Sequence, residues 1–223
     1  MNLVFAPAHN TDGKADAIGA FQPEAKAFCL ARNICQPVRI FDNNRPMPLR
    51  FADMLALFNL CRPNTVETVA FFCHGTKRGL QCGLTVTNAP RFAGALERVC
   101  VAAPRIILYA CDAARDADAD RADDCAPGPG GEGGLADCLR AQLVARGVMG
   151  TVYAHTTVGH TTRNPFVRRF DADDLAGGRW VVEPHSAGWR AWVLALRGPM
   201  RFSFPFMSQA EIDATLQAPL PVG

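Results

Sequence analysis

Val69-Ala70-Phe71-Phe72-Cys73-His74-Gly75 and Ile106-Ile107-Leu108-Tyr109-Ala110-Cys111 decide how this chain reads. Each is a short, continuous apolar run that ends in a residue with catalytic chemistry. Runs of this length without polar alternation mark strands buried on both faces of a parallel sheet. Open parallel sheets bind ligands just beyond the carboxyl ends of their strands. If the two runs are neighbouring strands, an imidazole and a thiol stand side by side on one rim. A Cys/His nucleophilic pair needs that placement.

Outward from these runs the pattern alternates. Residues 3–6 read as a first strand, and His9-Asn10-Thr11-Asp12-Gly13 as the loop leaving it. A helix is expected over 23–33, a short strand over 38–41, and an amphipathic helix over 51–61 with Phe51, Met54, Leu55, Phe58 and Cys61 on one face. The strand of 65–73 delivers His74. A hairpin or extended loop follows over 77–87, a helix over 90–100 with proline in its first turn, and the strand of 105–110 that delivers Cys111. Such alternation implies a parallel sheet with right-handed crossovers. Further on, a helix over 135–146 closes at Gly147, and a strand over 149–154 ends at His155. Strands are expected over 179–183 and 192–196, and Ser208 to Glu211 spells a capping box opening a helix to about Gln217. The expected fold class is α/β: a three-layer sandwich with a central, mainly parallel sheet. One domain spans 1–223, with its core in 1–160 and further strands and a helix over 161–223.

Residues 112–134 interrupt the alternation. Six aspartates fall between 112 and 124, and Ala126-Pro127-Gly128-Pro129-Gly130-Gly131-Glu132-Gly133-Gly134 follows. Like charges and turn formers at this density build no core, so the stretch reads as a mobile acidic loop.

The composition excludes several function classes. A formal net charge of +2, with Lys and Arg scattered, supplies no basic face for nucleic acid. No stretch approaches the roughly 18 apolar residues of a membrane span. The chain has nine cysteines, an odd number, and no Cys-x-x-Cys pair. That usage reads as free thiols in a reducing compartment. Met1-Asn2-Leu3-Val4-Phe5-Ala6-Pro7 has neither the charged start nor the apolar length of a signal peptide. The expectation is a cytoplasmic protein, and delivery as an effector without a cleaved signal is compatible with it.

A thiol attacks a carbonyl only as its thiolate, so Cys111 needs a base, and His74 can take its proton and later return it to a departing amine. Gly75 has no side chain to block substrate backbone, and its N–H can face a developing oxyanion, with the Cys111 N–H as second donor.

The order apolar strand–His-Gly, hairpin, helix, apolar strand–Ala-Cys resembles the caspase-like (clan CD) cysteine peptidases, nearest to bacterial CHAT, clostripain and metacaspase-type members. The residues that carry the resemblance are Phe71-Phe72-Cys73-His74-Gly75 and Leu108-Tyr109-Ala110-Cys111, with Gly131-Glu132-Gly133-Gly134-Leu135-Ala136 before a helix. It covers roughly residues 1–160. It implies the caspase-hemoglobinase fold, a His74–Cys111 dyad with an oxyanion hole using Gly75, and peptide-bond cleavage through a thioester without a cofactor. The implied partner is a protein or peptide substrate. In the family the loop after the nucleophile is often cut during activation. Self-cleavage within 112–134 is therefore open, at Arg115 or Arg121 if basic residues are selected, as is an activating partner.

Caspases carry a Gln-Ala-Cys-Arg-Gly type of signature, whereas Tyr109-Ala110-Cys111-Asp112-Ala113 stands here, so aspartate specificity is not carried over. Asp112 is a candidate to favour basic substrate residues, and His155 a candidate to line the substrate cleft. Asp116-Ala117-Asp118-Ala119-Asp120 opens like a calcium loop, but Arg121 and Pro127 stand where an EF-hand needs glycine and glutamate. Two rival readings remain. Cys111 with His155 or His160 and Asn164 follows the papain order of a protease, deamidase or acyltransferase. A catalytically inactive caspase-like scaffold is the other.

Overall fold

The computed structural model describes residues 1–9, 16–118, 131–157, 166–174 and 177–195. In chain order the elements are β1 (Asn2–Pro7), α1 (Asp16–Ala31), β2 (Arg39–Phe41), α2 (Met47–Asn59), β3 (Val66–Phe72), β4 (Gly75–Thr76), β5 (Gly79–Leu80), α3 (Ala89–Val99), β6 (Cys100–Tyr109), α4 (Leu135–Val144), β7 (Thr151–His155), β8 (Val167–Phe170), β9 (Arg179–Trp180) and α5 (Ala187–Ala195). Seven strands form one sheet in the order β2-β1-β3-β6-β7-β8-β9. The first five run parallel, and β8 and β9 extend the sheet antiparallel. The fold is α/β, with a mostly parallel central sheet flanked by helices.

Side-chain alternation along the strands sorts the core into two faces. On one, Phe21, Ala25 and Phe28 of α1 pack against Val4, Ala6, Ala70, Phe72, Ile107 and Tyr109. On the other, α2, α3 and α4 bring Phe58, Phe92 and Leu139 against Phe5, Phe71 and Leu108. Aromatic contacts run through both. Phe5 stacks on Phe71 with ring centroids 5.1 Å apart, and Phe72 stacks on Tyr109 at 4.6 Å. The unbroken apolar runs follow from this: both faces of β3 and β6 lie under helices, so neither has a polar side.

Three features depart from the sequence expectation. β6 begins at Cys100, directly after α3, and its pairing with β3 shifts register between Val66 and Thr68. β8 was not anticipated, because Val167-Arg168-Arg169-Phe170 is short and half charged; its arginines are held by neighbours, Arg168 over the Trp180 ring at 4.4 Å and Arg169 on Asp171. The strand expected over 192–196 is a correction, since α5 covers 187–195. Five apolar residues fit either period, and Ser186 decides the matter as an N-terminal cap: its Oγ accepts the Trp189 N–H at 3.0 Å. The helix expected from Ser208, and residues 119–130 of the acidic loop, lie outside the described residues.

Phe92 joins α3 to α2 and to the sheet, edge-on to Phe58 at 5.6 Å and against Phe71 at 5.9 Å. Phe92→Ala should cost about 3–5 kcal/mol in denaturant unfolding. A loss below about 1 kcal/mol would contradict this packing.

Candidate active site

Parallel pairing sets Phe71 beside Leu108 and Phe72 beside Tyr109, and the Cys73 N–H donates to the Tyr109 carbonyl at 3.3 Å. His74 follows Phe72 by two residues, as Cys111 follows Tyr109. His74 turns to the α1 face just past the stacked Phe72 and Tyr109 rings, and Cys111 opens the turn at the end of the neighbouring strand, about 4.8 Å away. β1 lies on the other side of β3, and its chain leaves outward to β2. With α1 and α2 on opposite faces, the strand order reverses between β1 and β3. Such a switch point opens a crevice at the carboxyl ends of the strands. His74 stands at that crevice, partly buried, with its ring edge-on to the buried Phe21 at 5.0 Å.

Gly75 explains how close the two strand ends come. β4 pairs with β5 in a hairpin that passes directly over the end of β6. A methyl group on Gly75 would lie 2.6 Å from the Ala110 Cβ and 3.0 Å from the Cys111 carbonyl oxygen. Only glycine allows that approach, and it sets the Gly75 backbone against Cys111. The hairpin is braced from behind: Gln81 donates to the His74 carbonyl at 2.9 Å, and Arg50 Nη1 donates to the Gln81 carbonyl at 2.7 Å. A cavity of about 430 Å³ opens beside them, walled by Met47, Arg50, His74, Gly75, Leu80 and Thr85. The Cys111 side chain is 9% exposed and lies outside that wall.

Past Cys111 the chain turns sharply. Asp112 takes φ +55°, a left-handed conformation that aspartate tolerates better than most side chains. The Asp112 N–H donates to the Thr157 carbonyl at 3.2 Å and the Ala114 N–H to the His155 carbonyl at 2.8 Å. The Arg115 guanidinium lies 3.5 Å from the Asp112 carboxylate.

The glycine-rich segment then straps this turn down. A Cβ on Gly134 would meet the Arg115 carbonyl oxygen at 2.0 Å. Ala117 donates to the Glu132 carbonyl, Ala136 to that of Ala113, and Leu135 to that of Lys77 in the hairpin. The start of α4 thus holds both the Cys111 turn and the His74 hairpin.

The structure sets Gly75 against the Cys111 carbonyl, with His74 beside Gly75 at the end of the neighbouring strand. It engages Asp112 with Arg115. Arg115 is only 3% exposed, so this arginine is a buried brace and is not presented for cleavage in the folded chain. Sequence reading missed the brace, and the alternation of apolar and charged residues around it offers no signal for it. His155 is 1% exposed, and its ring packs edge-on to Tyr109 at 5.4 Å, so the fold uses it to wall the site from below. Burial pushes the Tyr109 phenol well above its ordinary pKa. His160, Asn164 and Arg121 lie outside the described residues. Among the described residues, the acidic grouping with metal-ligand spacing is Asp171, Asp173 and Asp174. Arg179 reaches all three carboxylates and Arg169 one, so the cluster is engaged in ion pairs.

Gly75→Ala should destabilise the protein by about 1–3 kcal/mol, the usual cost of overpacking. Adding Ala110→Gly removes the nearest clashing carbon and should restore part of that loss. Two additive substitutions, measured by thermal unfolding, would contradict the close crossing. Compared with known proteins, the chain matches no family model, no curated protein and no solved structure.

Proposed function

We propose that this chain is a caspase-like cysteine endopeptidase, with Cys111 as nucleophile, His74 as general base and acid, and the Gly75 and Cys111 N–H groups as oxyanion donors. One observation carries the reading: β3 and β6 are neighbours with Phe72 level with Tyr109, and His74 and Cys111 each stand two residues beyond that pair. The glycine crossing is the second support, because it lays a bare backbone segment against the nucleophile.

The chemistry balances with these groups alone. His74 takes the Cys111 proton as the sulfur attacks the substrate carbonyl, and the carbonyl oxygen becomes an oxyanion facing the two N–H groups. The tetrahedral intermediate collapses to a thioester as the amine leaves with the proton from His74. Water then attacks the thioester with His74 as base. The acid departs and the thiol is regenerated. Since His74 must reach the departing amine, the leaving segment of the substrate lies on the His74 side, towards the cavity walled by Met47, Leu80 and Thr85. The substrate is a protein or peptide, and the mechanism calls for no cofactor.

The test is digestion of a proteome-derived peptide library, with cleavage sites read by mass spectrometry. Wild type should yield new peptide ends, abolished in Cys111→Ala and reduced about 10²–10⁴-fold in His74→Ala. Folded wild type that cuts nothing, or cleavage that persists in Cys111→Ala, would refute the assignment.

A further inference from the structure

Two buried cysteines stand behind the histidine and take no part in this mechanism. In the hairpin, Gly75 lies opposite Leu80 and Thr76 opposite Gly79. The Gln81 N–H donates to the His74 carbonyl at 2.9 Å, and the chain then turns, the Gly83 N–H donating to the Leu80 carbonyl at 2.9 Å. This turn carries Cys82, and its side chain meets that of Cys73. The two thiols share a hydrogen bond, both are fully buried on the α2–α3 face, and both are free.

We propose that Cys73 and Cys82 form a redox site, which a hydroperoxide oxidises to an intrachain disulfide fastening the His74 strand to its hairpin. Nothing in this assignment depends on peptidase activity.

Cys82 is the sulfur that reacts first. Burial opposes its ionisation, but the Cys73 hydrogen bond, the Leu84 and Cys82 N–H groups and the Arg50 guanidinium outweigh it and bring this thiol below its ordinary value. Burial, together with the hydrogen bond that its S–H donates to Cys82, pushes the Cys73 thiol up. Arg50 and Gln81 also wall the cavity beside His74, which brings a small oxidant close to Cys82. The Cys82 thiolate attacks one peroxide oxygen and the O–O bond breaks. This gives a sulfenic acid and a hydroxide, which takes up the thiol's proton and leaves as water. The Cys73 sulfur then displaces the sulfenic oxygen, which departs as a second water carrying the Cys73 proton. Two thiols and one hydrogen peroxide become one disulfide and two waters.

The test exposes the native protein briefly to hydrogen peroxide, removes the peroxide, and unfolds the protein in iodoacetamide. Trypsin is then added without reductant. Trypsin cuts at Lys77 and Arg78 but not at Arg62, which precedes Pro63, so the disulfide appears as residues 51–77 and 79–91 joined and lighter by two hydrogens, with Cys61 alkylated and fragment ions placing the link between Cys73 and Cys82. Dithiothreitol should restore both alkylation sites, and far-ultraviolet circular dichroism should be unchanged by oxidation. Cys82→Ala should leave Cys73 fully alkylated after the same treatment; should that variant not fold, the wild-type linkage alone carries the result. Both thiols remaining alkylatable while other cysteines oxidise would overturn the proposal. So would a linkage that forms only after unfolding.

Discussion

The parallel pairing of β3 with β6 is the constraint on which the rest of this structure depends. It is the densest part of the core, with Phe72 stacked on Tyr109 on one face and Phe71 set between Phe5 and Phe92 on the other. The same pairing dictates what stands at the rim. Side chains alternate strictly along a strand, so shifting β3 by one residue against β6 would break the level placement of His74 and Cys111 and expose the apolar set of β3 to the wrong layer. Packing and chemistry are therefore specified together. The aromatic layer supports the register, and the register sets the strand ends that carry His74 and Cys111 side by side.

The second constraint is closeness of backbone. Gly75 lets the hairpin cross over Ala110, and Gly134 lets the start of α4 sit on the Arg115 carbonyl. The Leu135 to Lys77 and Ala136 to Ala113 hydrogen bonds then join the helix start to both strand exits. A nucleophile on a turn has no rigidity of its own. Here the turn is fixed from three sides: by β7 through Thr157 and His155, by the glycine-rich strap, and by the Arg115–Asp112 ion pair. Arg115 is a buried charge, and Asp112 is one group that it pairs with.

Much of this was legible in the sequence, and the reasons are specific. The apolar runs at 69–73 and 106–110 announce buried parallel strands because each lies between two helix layers. The face of Phe51, Met54 and Phe58 announces α2 for the same reason. The Gly-Glu-Gly-Gly pattern was visible, although its cause, contact with the Arg115 carbonyl, was not. Short or locally capped elements escaped. β8 carries two arginines whose partners come from Trp180 and Asp171, distant information that no local window holds. The end of the described chain reads as strand by its apolar run, whereas Ser186 starts a helix. The burial of His155 and the pairing of Asp112 with Arg115 were not legible for a related reason: the neighbours of a polar residue at a strand end come from elsewhere in the chain.

What distinguishes this site from an ordinary sheet edge is the claim that one thiol among nine is activated by one particular histidine. The rate of iodoacetamide labelling across pH, with each adduct located by mass spectrometry, tests that claim on wild type, His74→Ala and His155→Ala. The account predicts selective labelling of Cys111 near neutral pH, lost in His74→Ala and retained in His155→Ala. Uniform slow labelling of the accessible thiols, or loss of selectivity in His155→Ala alone, would contradict it.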